Sequence, residues 1–118
     1  IEKWKYLKGA KKKEKEKDGV IIKWSEGAIP FPEDLKQPAR TILTNEGGLG
    51  PSRFKHLVKD PWTKRLRTLT PEEVEKANCF SPGHTDTMPE NWRYFCMGNA
   101  LVVGLIEKMG KQLGIGPN

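Results

Sequence analysis

The sequence predicts an α+β fold, in which a small twisted antiparallel sheet with long loops is followed by a short capped helix and a C-terminal helix. Three observations favour this class. Short runs with the β-branched and aromatic content of strands lie between residues 20 and 69. No segment between these runs has the periodicity of a crossover helix. Both helical patterns come after the last run, so the strands are expected to pair antiparallel.

Four short strands are predicted, each bounded by turn-forming residues. They cover Val20–Trp24, Ala39–Thr44, Phe54–Lys59 and Arg65–Leu69. Three prolines between residues 28 and 38 deny the first connecting loop both helix and central strand. Three glycines in Asn45–Pro51 allow the second loop to turn sharply or to lie close against another surface.

A lysine-rich segment precedes the first strand. Five lysines and two glutamates fill Lys11–Lys17, and the turn pair Asp18-Gly19 follows. We predict that residues 1–19, which open with the short amphipathic piece Ile1–Leu7, form a flexible lead-in. Such a charge run is most often a solvated loop, and the alternative is contact with phosphates. The net charge of +6 and the pI near 9.4 keep that alternative open.

Two helices are predicted after the strands. Thr70 caps the first, Pro71 takes its first helical position, and Glu73 completes a capping box, so a short helix runs to about Asn78. The second helix is predicted from apolar residues at helical spacing on one face. Its markers are Gly98-Asn99 ahead of it, then Leu101, Val102, Leu105, Ile106, Met109 and Leu113, and Gly114 as its stop.

No catalytic, nucleotide-binding or metal-binding motif is found. Two cysteines, Cys79 and Cys96, are too few for a cysteine-rich metal site, and no ligand spacing recruits a histidine to them. No His or Lys is placed by sequence to activate Cys79 as a nucleophile. The chain also lacks a phosphate-cradling glycine motif, a membrane-length apolar stretch and a signal peptide. We therefore expect a cytoplasmic protein with reduced thiols and no metal.

The sequence does contain residue types that are suited to binding nucleic acid. Arg, Asn, Ser and Thr read base edges, and Lys suits phosphate. Several such residues, with three neighbours, are expected near one edge of the predicted sheet: Lys23, Trp24, Ser25, Glu26, Arg40, Thr44, Asn45, Arg53, Lys55 and His56. Composition alone is compatible with nucleic-acid binding and goes no further.

Two blocks resemble motifs of the cytosine-5 DNA methyltransferase family, in the family's order. Arg67-Thr-Leu-Thr-Pro-Glu-Glu73 resembles its Arg-x-Leu-Thr-Pro-x-Glu motif, and Gly98-Asn99-Ala100-Leu101-Val102-Val103 resembles its final Gly-Asn-Ala/Ser-Val-x-Val motif. Thr41-Ile42 lies where the variable target-recognition region has a Thr-Leu-type dipeptide. The resemblance covers roughly residues 20–113. One departure is Cys79-Phe80-Ser81, where members usually have Gly-Phe/Tyr-Pro.

The resemblance implies the target-recognition portion of a DNA (cytosine-5-)-methyltransferase from a prokaryotic or phage restriction-modification system. Such an enzyme flips cytosine out of double-stranded DNA and methylates it with S-adenosylmethionine. The family's Pro-Cys nucleophile, its cytosine-binding Glu and its Phe-x-Gly-x-Gly cofactor motif do not occur in these 118 residues. The chain alone is therefore expected to be inactive and to need a catalytic domain or subunit. A chain that starts without Met also fits a subunit or an excised piece. The alternative is a stand-alone basic nucleic-acid-binding module.

By position, the resemblance assigns three sets of residues. The cofactor-binding set is Asn99, Ala100 and Leu101, because the family's last helix packs on the catalytic domain. The DNA-binding set is Trp24, Ser25, Arg40, Thr41, Ile42, Thr44, Asn45, Arg53 and Lys55. The structural set is Arg67, Thr70, Pro71, Glu73 and Gly98. Arg67 as a mere surface ion-pair residue and Leu101 as ordinary helix core remain alternatives. The predicted parts are a lead-in at 1–19, a target-recognition domain at 20–92 and a C-terminal part at 93–118.

Overall fold

The computed structural model describes residues 1–115, which form helices and two separate two-stranded antiparallel sheets. In chain order the elements are α1 (Glu2–Lys8), β1 (Lys11–Lys17), β2 (Val20–Glu26), a 3₁₀ turn (Thr44–Glu46), β3 (Leu57–Lys59), β4 (Leu66–Thr68), α2 (Pro71–Ala77), α3 (Glu90–Asn99) and α4 (Val103–Gln112). The predicted α+β class is confirmed, with two small sheets in place of one. The last three residues of the predicted part 93–118 lie outside the described residues.

The lysine-rich run, which was predicted as part of a flexible lead-in, forms the first strand of a long hairpin. β1 pairs with β2 along its whole length, from Lys11 opposite Glu26 to Lys17 opposite Val20. Asp18 and Gly19 join the strands with φ values of 53° and 77°. Positive φ at both central residues is the requirement of a type I′ hairpin turn, whose twist matches that of the strands. The predicted strand Val20–Trp24 is confirmed and extends to Glu26.

The predicted strand Ala39–Thr44 is wrong. The segment joins no sheet and passes into the 3₁₀ turn. Ile42 is only 7% exposed and packs in the core with Val74, Tyr94 and Met97. A Cβ added to Gly98 would lie 2.5 Å from the carbonyl carbon of Leu43, so the backbone of α3 lies directly on this segment. Helix packing has taken the place that strand pairing was expected to fill.

The other two predicted strands are shorter than expected. Only Leu57–Lys59 of Phe54–Lys59 is paired, in register with Leu66–Thr68. The backbone N–H of His56 donates instead to the Glu46 carboxylate at 3.2 Å. A side chain has therefore replaced the ladder partner at that position.

Helix α2 begins as predicted. Thr70 and Glu73 form the capping box, in which the Glu73 N–H donates to the Thr70 hydroxyl and the Thr70 N–H donates to the Glu73 carboxylate, at 3.3 and 2.9 Å. Pro71 occupies the first helical position. The box satisfies two backbone donors that the helix start would otherwise leave without partners.

The C-terminal block is split between two helices. Residues Glu90–Asn99 form α3, which was not predicted, so Gly98-Asn99 end one helix rather than precede the next. Leu101 and Val102 lie in the connection, and α4 begins at Val103. Gly114 ends α4 as expected, with φ at 70°.

Candidate nucleic-acid interface

The glycine-containing loop after the 3₁₀ turn is held from inside by Lys55. Its ammonium donates to the carbonyls of Gly48 and Gly50 at 2.7 and 2.8 Å, and the residue is only 3% exposed. Burial lowers the pKa of this amine. Across the loop, the Asn45 amide donates to the Ser52 hydroxyl at 2.9 Å. Lys55, predicted to contact DNA, thus shapes the loop instead of extending from it.

Arg53 fastens the same region to the N-terminal residues. Its guanidinium donates to the carbonyls of Leu7 at 2.8 Å and Gly9 at 3.1 Å, and also to the carbonyl of Gly27. The Glu26 carboxylate lies 3.5 Å away. Because its donors face backbone and carboxylate oxygens, Arg53 joins α1 and the base of the hairpin to the loop that follows.

Arg40 belongs to a charged cluster at the edge of the core. Its Nε donates to the Glu33 carboxylate at 3.0 Å. The ammonium of Lys8, which is fully buried, lies 3.6 Å from the same carboxylate and donates to the carbonyl of Lys55. Burial, reinforced by the charge of Arg40, lowers the pKa of Lys8. Arg40 therefore shares the Glu33 carboxylate with Lys8, while part of its own side chain stays exposed.

The predicted DNA-binding residues do not meet at one sheet edge. Thr41, Thr44 and Asn45 are exposed on the segment that packs on α3, whereas the side chain of Ile42 lies in the core. Trp24 and Ser25 belong to the separate hairpin and lie on its opposite faces. The structure thus offers two exposed regions, the hairpin and the 41–52 segment.

The final motif forms an elbow between α3 and α4. Asn78, at the end of α2, holds it from both sides: its amide donates to the Met97 carbonyl at 2.9 Å, and its own carbonyl accepts from the Val103 N–H at 3.0 Å. The three predicted cofactor-binding residues, Asn99, Ala100 and Leu101, lie at this elbow. Sequence reasoning missed Asn78, because its position after the capped helix gives no sign of the partners it meets.

Arg67 links the second hairpin to the cap of α2. It makes two parallel hydrogen bonds of 2.8 Å to the Glu73 carboxylate and one of 3.1 Å to Asp60. Backbone N–H donation from Thr63, followed by Arg67, lowers the pKa of Asp60 to about 2. Two parallel hydrogen bonds between an arginine and a carboxylate are stronger and more specific than a single surface ion pair.

Arg93 is a second linking residue that the sequence did not reveal. Its guanidinium donates to four acceptors between 2.9 and 3.2 Å: Thr85, Glu72, Glu75 and Asp86. Burial of Glu75 acts to raise its pKa, but hydrogen bonds from Thr85 and Arg93 hold that pKa below its usual value. Through Arg93, α2, α3 and the loop between them form one unit.

Helix α4 leaves an apolar face exposed. None of its residues is buried, and six apolar side chains on or beside it are 43% to 72% exposed. The set comprises Leu101, Leu105, Ile106, Met109, Leu113 and Ile115. Within residues 1–115 no cluster of His, Cys, Asp and Glu is placed to hold a metal ion, and no helix there has the length and apolarity needed to cross a membrane.

Comparison with known proteins identifies one similar region. The chain is 46% identical over 114 residues to the Type II methyltransferase M.Sau3AI of Staphylococcus aureus, an overlap that covers 96% of this chain. It covers 27% of that protein, so the chain spans about a quarter of the length of the relative. No protein-family model matches the chain, and no solved structure gives a significant match. Nearly the whole chain therefore resembles one region of a methyltransferase.

Proposed function

We propose that this chain is the target-recognition portion of a DNA (cytosine-5-)-methyltransferase, working with a catalytic part that these 118 residues do not contain. The observation that carries the proposal is the 46% identity to a Type II methyltransferase across nearly the whole chain. The two motif-like blocks support the cytosine-5 assignment. In this proposal the enzyme belongs to a restriction-modification system in a prokaryotic cytoplasm, and double-stranded DNA is its substrate.

The contacts between the two blocks support a shared role. Asn78 joins the end of α2 to the elbow, and Gly98 lets α3 lie against Leu43 and Thr44. The segment that would read bases, with Thr41 and Asn45 exposed, is thus fixed to the same helices that carry the final motif. Recognition contacts and the cofactor-facing elbow would be held in one rigid unit.

The elbow suits one wall of an S-adenosylmethionine site. Leu101 is 69% exposed and Ala100 is small, so together they offer an apolar edge. The side-chain amide of Asn99 donates to the Phe95 carbonyl at 3.1 Å. These three residues fit the cofactor as a flank and need further residues to hold it. When bound, the cofactor supplies the methyl group; this chain's residues would shape the pocket and exclude water.

We further propose that the apolar face of α4 packs on the catalytic part. A contiguous exposed patch of this kind is typical of an interaction surface. The patch adjoins Leu101, so covering it would also bring the elbow against the catalytic part. This chain would close the DNA cleft and read the bases that flank the target. The target cytosine itself is out of reach while it is stacked and must first be flipped.

A chimeric enzyme tests the proposal. This chain would replace the matching 114-residue region of M.Sau3AI. Methyl transfer to DNA would be measured with labelled S-adenosylmethionine, and bisulfite sequencing of the product would locate the methylated bases. We expect methylation at carbon 5 of cytosine. A folded chimera that transfers no methyl group, in an assay where M.Sau3AI does, would refute the proposal. Duplex binding by that inactive chimera would favour the basic binding module instead.

A further inference from the structure

The register of the β1–β2 hairpin separates its charges by face. Cross-strand partners share a face, and alternate residues of each strand do too. One face, which we name the lysine face, carries four lysines, three apolar residues and one glutamate: Lys11, Lys13, Lys15, Lys17, Val20, Ile22, Trp24 and Glu26. The opposite face carries two lysines and two glutamates, in Lys12, Glu14, Glu16 and Lys23, with Ile21 and Ser25. The net positive charge of the two strands therefore lies on the lysine face, because the charges of the opposite face cancel.

Within the described residues, the lysine face has exposed ammonium groups without carboxylate partners at the end near the hairpin turn. Near the base, Lys13 and Lys11 lie 3.1 and 3.9 Å from Glu26. Close to the turn, no carboxylate among residues 1–115 lies within 4.0 Å of the ammonium groups of Lys15 or Lys17, and both side chains are exposed. Trp24 on the same face is 41% exposed. Among the elements of the described chain, the two strands pack mainly on each other.

The shape of this face suits a linear polyanion. Alternate lysines along a strand are about 7 Å apart, and a seven-residue strand reaches about 20 Å. Duplex DNA carries about one charge per 1.7 Å of its axis, and its major groove admits a two-stranded ribbon. Exposed Ile22 and Trp24 beside the lysines can contact the sugars while the ammonium groups reach phosphate oxygens.

We infer that the lysine face of the β1–β2 hairpin binds the phosphate backbone of duplex DNA independently of base sequence. The inference rests on the proposed function for the choice of duplex DNA as the partner. It divides the work of the molecule: the hairpin supplies affinity, and the 41–52 segment supplies discrimination. Phosphate contacts position a protein on the duplex, whereas base contacts specify the sequence.

The test uses the complete methyltransferase with Lys15→Gln and Lys17→Gln together. Duplex binding is measured by fluorescence anisotropy over a range of salt concentrations, on cognate and altered sites. Each phosphate contact contributes about 0.9 to the slope of log affinity against log salt, so we expect the slope to flatten by about 2. Binding should weaken by the same factor on both sites.

Two matched variants serve as controls. Lys12→Gln with Lys23→Gln removes the same charge from the opposite face and should leave the slope near that of the wild type. Lys15→Arg with Lys17→Arg keeps the charge and should restore it. Circular dichroism and thermal unfolding check that all three variants are folded.

Four outcomes would overturn the inference. An unchanged slope in a double variant that still methylates DNA refutes the inference and leaves the proposed function standing. Equal flattening by the opposite-face control would show an effect of net charge alone. If size-exclusion chromatography shows that the Lys15→Gln, Lys17→Gln variant no longer associates with the catalytic part, the lysine face would be a protein interface. A wild-type enzyme that neither binds nor methylates DNA would refute the proposed function as well.

Discussion

At the scale of single residues, Cys79 shows how the fold tolerates a departure from the expected motif. It has φ at 62°, and the N–H groups of Cys79 and Phe80 donate to the carbonyls of Lys76 and Glu75 at 3.0 Å each. This is the Schellman pattern that ends helices, and its left-handed position is usually glycine. The turn expected from Gly-Phe/Tyr-Pro is therefore kept, with cysteine bearing the strain.

Replacing Cys79 with glycine should stabilise the protein. A non-glycine residue in the left-handed region costs about 1–2 kcal/mol, and glycine's extra freedom in the unfolded chain offsets part of the gain. We expect Cys79→Gly to raise the free energy of unfolding by about 0.5–1 kcal/mol, measured by urea denaturation. Cys79→Ala keeps the Cβ and should give no such gain. Equal stability of the two variants would show that the backbone conformation is not the cause.

At the scale of elements, local signals predicted more than long-range ones. The capping box at Thr70 and the stop at Gly114 depend on neighbours in sequence, and both formed as predicted. The run Ala39–Thr44 had strand-like residues, but its partner is α3, about 50 residues later in the chain. Strand propensity describes suitability for a half-buried surface and leaves the partner undetermined. Helix α3 was missed because its aromatic residues favour strands locally.

Adding a methyl group at Gly98 should separate α3 from the 41–44 segment. The new Cβ would lie 2.5 Å from the backbone of Leu43, which cannot move without shifting the chain. We expect Gly98→Ala to destabilise the protein by about 1–3 kcal/mol, measured by thermal unfolding. Gly104→Ala is the control, because its Cβ would meet only the side chain of Cys79, whose sulfur lies 3.3 Å away. A smaller effect at Gly98 than at Gly104 would contradict the packing described.

At the scale of the whole molecule, the predicted site was divided by tertiary structure. The sequence placed Arg53, Lys55 and Trp24 together, yet Arg53 and Lys55 hold backbone carbonyls and Trp24 lies on the hairpin. Charge and residue type could indicate a recognition protein. They could not show which cationic side chains form hydrogen bonds within the fold, because that depends on which backbone carbonyls the loops leave without partners.

The exposed face of α4 should make the isolated chain self-associate. Leu105 and Met109 are 56% and 52% exposed, and uncovered apolar surface favours association. We expect Leu105→Lys with Met109→Lys to raise the monomer fraction of the isolated chain in analytical ultracentrifugation. Under the proposed function, the same variant should also weaken association with the catalytic part. Lys108→Gln is the control for changed surface charge. A wild-type chain that is entirely monomeric would contradict this expectation.

Under the proposed function, the Arg53 contacts determine how much of this chain must move with a transplanted DNA specificity. The sequence alone would suggest a graft that begins at residue 20, the start of the predicted target-recognition domain. Such a graft would lack the Leu7 and Gly9 carbonyls that accept from Arg53, and the Lys8 ammonium that lies beside Glu33. The smallest portable cassette therefore includes the N-terminal helix. Under the proposed function, exchange between methyltransferase genes would preserve these loops only where the crossover point falls upstream of that helix.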